Sequence, residues 1–477
     1  MREFATTIIQ TLRQRGFQAY LVGGCVRDLL LKREPKDYDV ATNATPQQVM
    51  QIFPETYAVG EQFGVVLVPE TATAGQQVPH RRFAPIRNDI VNIVNKEIAD
   101  SSEHESSGTD SSRRGLVEVA TFRRDIGYSD GRHPDEVRFS QDPREDVARR
   151  DFTINGMMLD PVGGEVLDYV GGRKDLEAGI IRAIGDPERR FAEDKLRMLR
   201  AVRFAARFEY AIEPLTFAAI RKLAPEIEIV SRERVRDELT RMLTEGHAHR
   251  AFLLLDESGL LQHILREISA MKGVEQPAEF HPEGDVFIHT LLLLENLPQP
   301  CPLTLAWGAL LHDVGKPATF RRAPDRIRFD DHVAVGVKMA EKICERLRFS
   351  NDDAEQILAL VDNHMRFGHA TRMKESTLKR FLRLPRFDEH LALHRADSLA
   401  SHRNLSTYEF VRQKQAEIPP DKIRPTPLVT GDDLIAAGHI PGPKFREILD
   451  AVEDAQLEGR LPSRDAALEF VLREFPA

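Results

Sequence analysis

One stretch, residues 23–40, constrains this chain more than any other: GGCVRDLLLKREPKDYDV. A short apolar run (19–22) meets a glycine pair, a helical segment (26–31) follows, and a charged turn leads into Asp37-Tyr38-Asp39. On a strand spanning 36–42 the side chains alternate faces, so Asp37 and Asp39 project to the same side. Two carboxylates on one rigid face can hold hard, oxygen-loving cations such as Mg²⁺. A glycine pair that opens a helix leaves backbone N–H groups turned toward phosphate oxygens. Arg27, near the start of that helix, adds a cationic clamp. A lone D-x-D is most often a solvated turn, and a lone G-G says less. Phosphate cradle, cation and metal carboxylates in this order are the parts of a nucleotidyl-transfer site.

GGCVRDLLL followed by KDYDVAT resembles the signature of the polymerase-beta-like nucleotidyltransferases. Within them it is similar to bacterial-type tRNA CCA-adding enzymes and poly(A) polymerases. The resemblance implies an α/β nucleotidyltransferase head, an all-α neck and body, and an all-α HD domain. It also implies Mg²⁺ in the head, with tRNA, ATP and CTP as partners. The run 116–122, LVEVATF, reads as a strand on which Glu118 shares a face with Leu116 and Ala120. Such a carboxylate is either an edge charge or a third metal-site acid. The family carries its metal carboxylates on the central sheet, so Glu118 is the candidate third acid beside Asp37 and Asp39. RRDFTINGM (149–157) resembles the family's ribose and triphosphate contact, which brings in Arg150 and Asp151.

A long helix is expected from about Pro187 through FAEDKLRMLRAVRFAARF, with Glu193, Arg197, Arg200 and Arg207 near one face. Glu193 and Arg197 make a favourable i, i+4 pair, which a solvated helix would also show. EDxxRxxR resembles the family's nucleotide-selecting motif. Asp194 can accept from a base amino group and Arg197 can donate to a ring nitrogen. Cytosine and adenine both offer that edge; uracil and guanine do not. By the same resemblance Gly24, Arg27, Arg150, Arg200 and Arg203 bind triphosphate and ribose. Residues 125–143 are rich in Gly, Asp and Pro, which marks a mobile loop. Their sequence resembles the family loop that assists the final A addition. Poly(A) polymerases carry a GRRF-type segment after the D-x-D helix; the matching place here, VGEQFGVVLV, has no Arg pair.

From residue 280 the histidines concentrate: His289, His312-Asp313 in LLHDVGKP, His332, His364, and then Asp397. Single histidines are mostly satisfied core or surface residues. A series of His and Asp recurring on predicted helices suits Mg²⁺ or a divalent transition metal. The series resembles an HD-type phosphohydrolase. By that resemblance His289, His312, Asp313 and Asp397 bind one metal, and His332 and His364 complete a second position. His281 is a spare.

The length, 477 residues, allows three or four domains. The expected division is a head at 1–155, a helical neck and body at 156–270, an HD domain at 271–417 and a C-terminal helical tail at 418–477. ADSSEHESSGTDSSRR is Ser-rich and poor in apolar residues, and the segment that holds it, 70–114, reads as a disordered insertion. Three widely spaced cysteines argue against a disulfide framework and for a reducing, cytoplasmic setting. Residues 1–16 read as an amphipathic helix stopped by Gly16, and no apolar run approaches membrane-spanning length. No membrane or protein partner is expected. A net charge of −9 excludes a uniformly basic coat, but not a local basic face for RNA.

Overall fold

The computed structural model describes residues 1–58, 64–70, 115–128, 134–277, 279, 281–324 and 326–476. The chain divides into two compact units, Met1–Ser269 and Ala270–Ala477. Among the described residues no helix is long and apolar enough to cross a membrane.

The first unit is built on a seven-stranded sheet. Its strands are β1 (Ala19–Val22), β2 (Asp39–Thr42), β3 (Tyr57–Ala58), β4 (Val65–Pro69), β5 (Leu116–Thr121), β8 (Met157–Leu159) and β9 (Val166–Asp168). The order is β3-β4-β5-β2-β1-β8-β9. β2 is central and runs antiparallel to β1 but parallel to β5. The sheet runs on through β9, past the domain boundary expected at residue 155. The hairpin of β8 and β9 pairs Met158 with Val22 of β1, and this contact draws it into the head.

Three local expectations shift. The strand carrying the D-x-D begins at Asp39, not at 36, so Asp37 sits in the loop just before it. The helix after the glycine pair begins at Gly24, because Gly23 at φ 75° turns the chain sharply out of β1. Residues 125–143 are not a plain loop. β6 (Arg123–Ile126) and β7 (Glu136–Phe139) pair antiparallel, so the ends of the segment satisfy each other's backbone. Residues 129–133 lie outside the described residues.

β4 and β5 pair antiparallel with Pro69 opposite Leu116, and Glu70 N–H donates to Gly115 O at 2.6 Å. The insertion therefore joins two strand ends already held together; residues 71–114 lie outside the described residues.

The expected long helix is broken. Pro187–Glu193 ends at Asp194, whose backbone is extended (φ −149°, ψ 108°), and a second helix, Leu196–Phe208, starts after it. The Asp194 carboxylate accepts from Leu196 N–H at 3.1 Å, which helps start that second helix. Ser231 occupies the N-cap position of the next long helix, Arg232–Thr244, and its side chain makes no capping hydrogen bond.

The second unit is helical apart from a two-stranded ribbon of Arg321–Arg322 and Ile327–Arg328. The helices Val286–Glu295, Leu303–Leu311, Asn351–Asn363 and Phe387–Ala400 pack on one another and bury Trp307, Leu310 and Leu360 completely. Toward the C-terminus, Val429, Leu434, Ile448, Val452, Ala467 and Val471 form a separate small core. The segment 419–427, which reads as a linker, carries a short helix, Pro420–Ile423.

Candidate active site

The first unit places most of its predicted nucleotide residues around one cavity of about 460 Å³. Six arginines (27, 149, 150, 197, 200 and 234) line it against three aspartates (39, 151 and 194). The excess of fixed positive charge suits a polyphosphate.

β2 and β5 set the acids. Their parallel register puts Asp39 directly beside Glu118. Asp39 is half-buried, whereas Asp37 and Glu118 are exposed and lie outside the cavity lining. Gly23 and Gly24 lie at the end of β1, next to Asp39. A Cβ on Gly23 would stand 3.3 Å from Arg150 Nη1 and 3.7 Å from Asp39 Oδ2. The positive φ and this close approach both call for glycine there. They also show that the Arg150 guanidinium and the Asp39 carboxylate converge on the glycine turn.

Each arginine is pre-set by an acid. Asp146, fully buried, accepts from Arg149 Nη2 at 2.7 Å and from Arg150 Nη2 at 2.9 Å. Asp151 accepts from Arg200 Nη2 at 2.7 Å and Nε at 3.0 Å. Burial alone would raise the Asp151 carboxyl, but the Arg200 guanidinium outweighs it and holds the group at about 2. Arg27 is buried, donates to Asn155 Oδ1 at 2.8 Å, and lies over the Phe208 ring at 4.6 Å. These forks fix where the guanidiniums point before any ligand arrives.

Asp194 and Arg197 line the same cavity. Asp194 Oδ2 accepts from Arg234 Nη2 at 2.8 Å. Arg197 Nη1 donates to Glu193 Oε2 at 2.8 Å, and its Nη2 donates to Arg149 O at 3.1 Å. Glu193 lies outside the lining and holds Arg197 and Arg190. Arg203 does not face the cavity. It is buried, its Nε 2.6 Å from Glu238, and its guanidinium covers Phe204 at 4.4 Å. Its expected place at the triphosphate is therefore corrected: at about 100° per residue Arg203 lies about 120° around the helix Leu196–Phe208 from Arg197, so it meets Glu238 of the Arg232–Thr244 helix while Arg197 and Arg200 line the cavity.

Sequence reasoning missed Asp146, Asn155 and Arg234 as site residues. Asp146 had a signal, since it stands three and four residues before Arg149 and Arg150 on a helix. Arg234 had none, because its contact crosses 40 residues.

In the second unit the His/Asp series converges on Asp313. His312 Nε2 lies 3.1 Å from Asp313 Oδ2, and His332 and His364 Nε2 each lie 3.8 Å from Asp313 Oδ1. His289 Nε2 lies 3.1 Å from Asp397 and 3.9 Å from Asp313. Three rings are anchored through Nδ1 to backbone carbonyls: His312 to Ala309 at 2.8 Å, His332 to Phe329 at 2.9 Å and His364 to Val361 at 2.7 Å. That bond makes Nδ1 the protonated nitrogen and leaves Nε2 with a free lone pair. The Nε2 atoms of His312, His332 and His364 are buried and have no hydrogen-bond partner. Burial pushes His364 down to about 4, so its ring is neutral, the form that binds metal. Orphaned imidazole lone pairs around a buried carboxylate fit a divalent metal. Lys316 and Glu283 join the centre without having been predicted. Lys316 Nζ lies 2.7 Å from Asp313, and His289 Nδ1 is 2.6 Å from Glu283. Glu283 is also 2.9 Å from His281, which places the spare histidine at the rim.

Three family models match the chain: the poly A polymerase head domain over 19–116 and 86–182, a probable RNA- and SrmB-binding site of polymerase A over 209–272, and the HD domain over 285–401. The chain is 30% identical to the CCA-adding enzyme of Geobacillus sp. (strain WCH70), over 96% of its own length and 93% of that protein. It is 34% identical to the multifunctional CCA protein of Nitrosomonas eutropha, over 75% and 76% of the two lengths. Among solved structures, the Bacillus stearothermophilus CCA-adding enzyme in complex with CTP superposes with a TM-score of 0.68 at 27% identity, over 99% of this chain and 96% of that one. With the sheet acids, the arginine-lined cavity and the HD centre in place, these matches show that this chain belongs to the CCA-adding enzyme family, nucleotidyltransferases built on a poly(A) polymerase head.

Proposed function

We propose that the first unit adds CMP and AMP from CTP and ATP to tRNA 3′ ends without a nucleic-acid template, completing CCA. The observation that carries this reading is the cavity itself. Asp39, beside Glu118 in register, meets the glycine turn, and Asp194 and Arg197 line the same cavity. A nucleoside triphosphate needs both sets of groups, cations for its phosphates and a donor–acceptor pair for its base.

Asp37, Asp39 and Glu118 are the residues that would hold two Mg²⁺ ions, which when bound neutralise phosphate charge and activate the attacking 3′-hydroxyl. The Gly24 N–H, Arg27, Arg150 and Arg200 grip triphosphate and ribose, while Asp151 fixes Arg200. Asp194 and Arg197 read the base edge. A carboxylate has about four acceptor sites and a guanidinium five donors, so their present bonds to Arg234 and Glu193 leave capacity for a base. Those bonds hold the pair at one spacing, which pyrimidine and purine must both meet.

The test supplies tRNAs ending before CCA, after C and after CC with CTP, ATP or both. The expected result is exactly as many additions as each end lacks, and then arrest. A homopolymer from ATP alone would mean a poly(A) polymerase, and addition only to tRNA ending in CC would mean an A-adding enzyme.

The second unit is read as a metal-dependent phosphohydrolase acting on phosphate esters such as 2′,3′-cyclic ends. His289, His312, Asp313 and Asp397, with His332 and His364 at a second position, would hold the metal, which supplies a water of lowered pKa. A water oxygen bonds to phosphorus as the P–O3′ bond breaks, the freed 3′ oxygen takes the proton, and the phosphate stays on the 2′ oxygen as a monoester. Such an activity restores the 3′ hydroxyl that nucleotidyl transfer requires.

A further inference from the structure

The ribbon that follows Lys316 is unlike the rest of the second unit. Its sequence, residues 320–329, is FRRAPDRIRF: four arginines between two phenylalanines. Arg321 and Arg328 stand directly opposite each other across the two strands, and Arg322 stands opposite Ile327. Like charges in directly opposed positions destabilise a ribbon unless an anion lies between or beside them. Among the described residues the acid partners of Arg321 and Arg322 are exposed. Arg321, 64% exposed, reaches Asp330 at 2.8 Å, and Arg322, 67% exposed, reaches Glu275 at 2.6 Å. Pairs as open as these contribute little, and phosphate oxygens can replace the carboxylates.

The ribbon is tied to the metal centre at its base. Phe329 O holds His332 through Nδ1 at 2.9 Å. Lys316 Nζ lies over the Phe329 ring at 5.4 Å and 2.7 Å from Asp313. Phe320 packs against Phe329 with centroids 5.9 Å apart, yet remains 37% exposed. An exposed aromatic edge beside guanidinium groups is what a single strand needs, with a surface for a base and cations for its phosphates. A free mononucleotide needs only the metal centre and one base contact.

We infer that this ribbon is the substrate lip of the HD site and that the site acts on the 3′ end of an RNA strand rather than on free nucleotides. The inference rests on the hydrolase reading given above. In it, the terminal phosphate sits at Asp313 and its histidines. The Phe320 ring receives a nearby base, and Arg321 and Arg322 take the phosphates upstream.

The experiment compares the full-length protein with the double variant Arg321→Ser/Arg322→Ser. One substrate is a tetraribonucleotide ending in a 2′,3′-cyclic phosphate; the other is a 2′,3′-cyclic mononucleotide. The ratio of kcat/KM for oligonucleotide over mononucleotide should fall at least tenfold in the variant, through KM. The salt slope of oligonucleotide binding should shrink by about 1.4, the value for two lost single-strand phosphate contacts. Arg321→Lys/Arg322→Lys should restore most of that slope. A 4-thiouridine placed in the oligonucleotide should photocrosslink to the 320–329 peptide. Equal losses on both substrates, or an unchanged ratio with no crosslink, would overturn the inference. If the wild-type protein hydrolyses neither substrate with any divalent metal, the hydrolase reading fails. The crosslink and the salt slope then still decide whether the ribbon binds RNA.

Discussion

Asp39 and Arg197 show how much one side chain can decide in this cavity. Asp39 sits where β1, β2 and β5 align, between the glycine turn and Glu118. Asp39→Asn keeps its volume and removes its charge, so nucleotide addition should fall at least about a hundredfold, about 2.7 kcal/mol of transition-state stabilisation. Binding of CTP should change little, because the arginine forks remain; equilibrium binding beside single-turnover addition checks both. Arg197→Ala should instead relax base choice. A good bidentate base contact is worth about 1–3 kcal/mol of discrimination, so UTP and GTP should gain roughly tenfold or more relative to CTP. Misincorporation ratios on tRNA ending before CCA measure this, and unchanged ratios would remove Arg197 from base reading. Both residues were legible in the sequence, through the D-x-D and the EDxxR spacing. Arg203 was expected at the triphosphate by resemblance alone; on the helix Leu196–Phe208 it lies about 120° around from Arg197, where Glu238 takes it.

At the scale of elements, two features set what the chain tolerates. The insertion leaves and re-enters at Glu70 and Gly115, whose backbones are already bonded. Loop length adds closure entropy only slowly, so deleting 99–112 should leave both melting temperature and addition within measurement error. A large loss of activity on tRNA with unchanged melting would make the insertion a substrate contact. The helix Phe387–Ala400 carries a different liability. His390 is buried, stacked near Phe387, and its Nε2 has no partner. Burial, helped by Arg366, pushes it down to about 4, so the folded state holds it neutral. An unfolded His takes its proton near 6.5, so the unfolded state binds more protons between those values. Stability is therefore full above about pH 6.5 and is lost as pH falls toward 4, on the order of 3 kcal/mol from this group. Chemical denaturation of the wild type and of His390→Phe across pH 7 to 4 checks it; the variant should lose less. The ribbon of β6 and β7 belongs here too, because glycine and proline content marked a loop where strand ends pair.

For the whole molecule, the arginine-lined cavity lies in one compact unit and the His/Asp centre in the other. Asp313→Asn should lower bound divalent metal and abolish phosphate-ester hydrolysis while CCA addition stays within about twofold; metal content by mass spectrometry and the two activity assays read this directly. A parallel loss of addition would mean that the HD centre supports the head. What the sequence determined by itself was the chemistry available and its order along the chain. The glycine pair, D-x-D, RRDFTINGM, EDxxRxxR and the His/Asp series were all readable, because each depends on residue type at short spacing, where helix and strand periodicity place side chains predictably. What only the tertiary structure decided was which groups meet. Parallel pairing put Glu118 beside Asp39 across a gap of 79 positions, as the register shows. Arg234 reached Asp194, and Glu238 drew Arg203 away from the cavity. Phe329 tied the arginine ribbon to His332. Such contacts come from packing between elements, where burial and charge pairing select one arrangement among many that the local spacing allows.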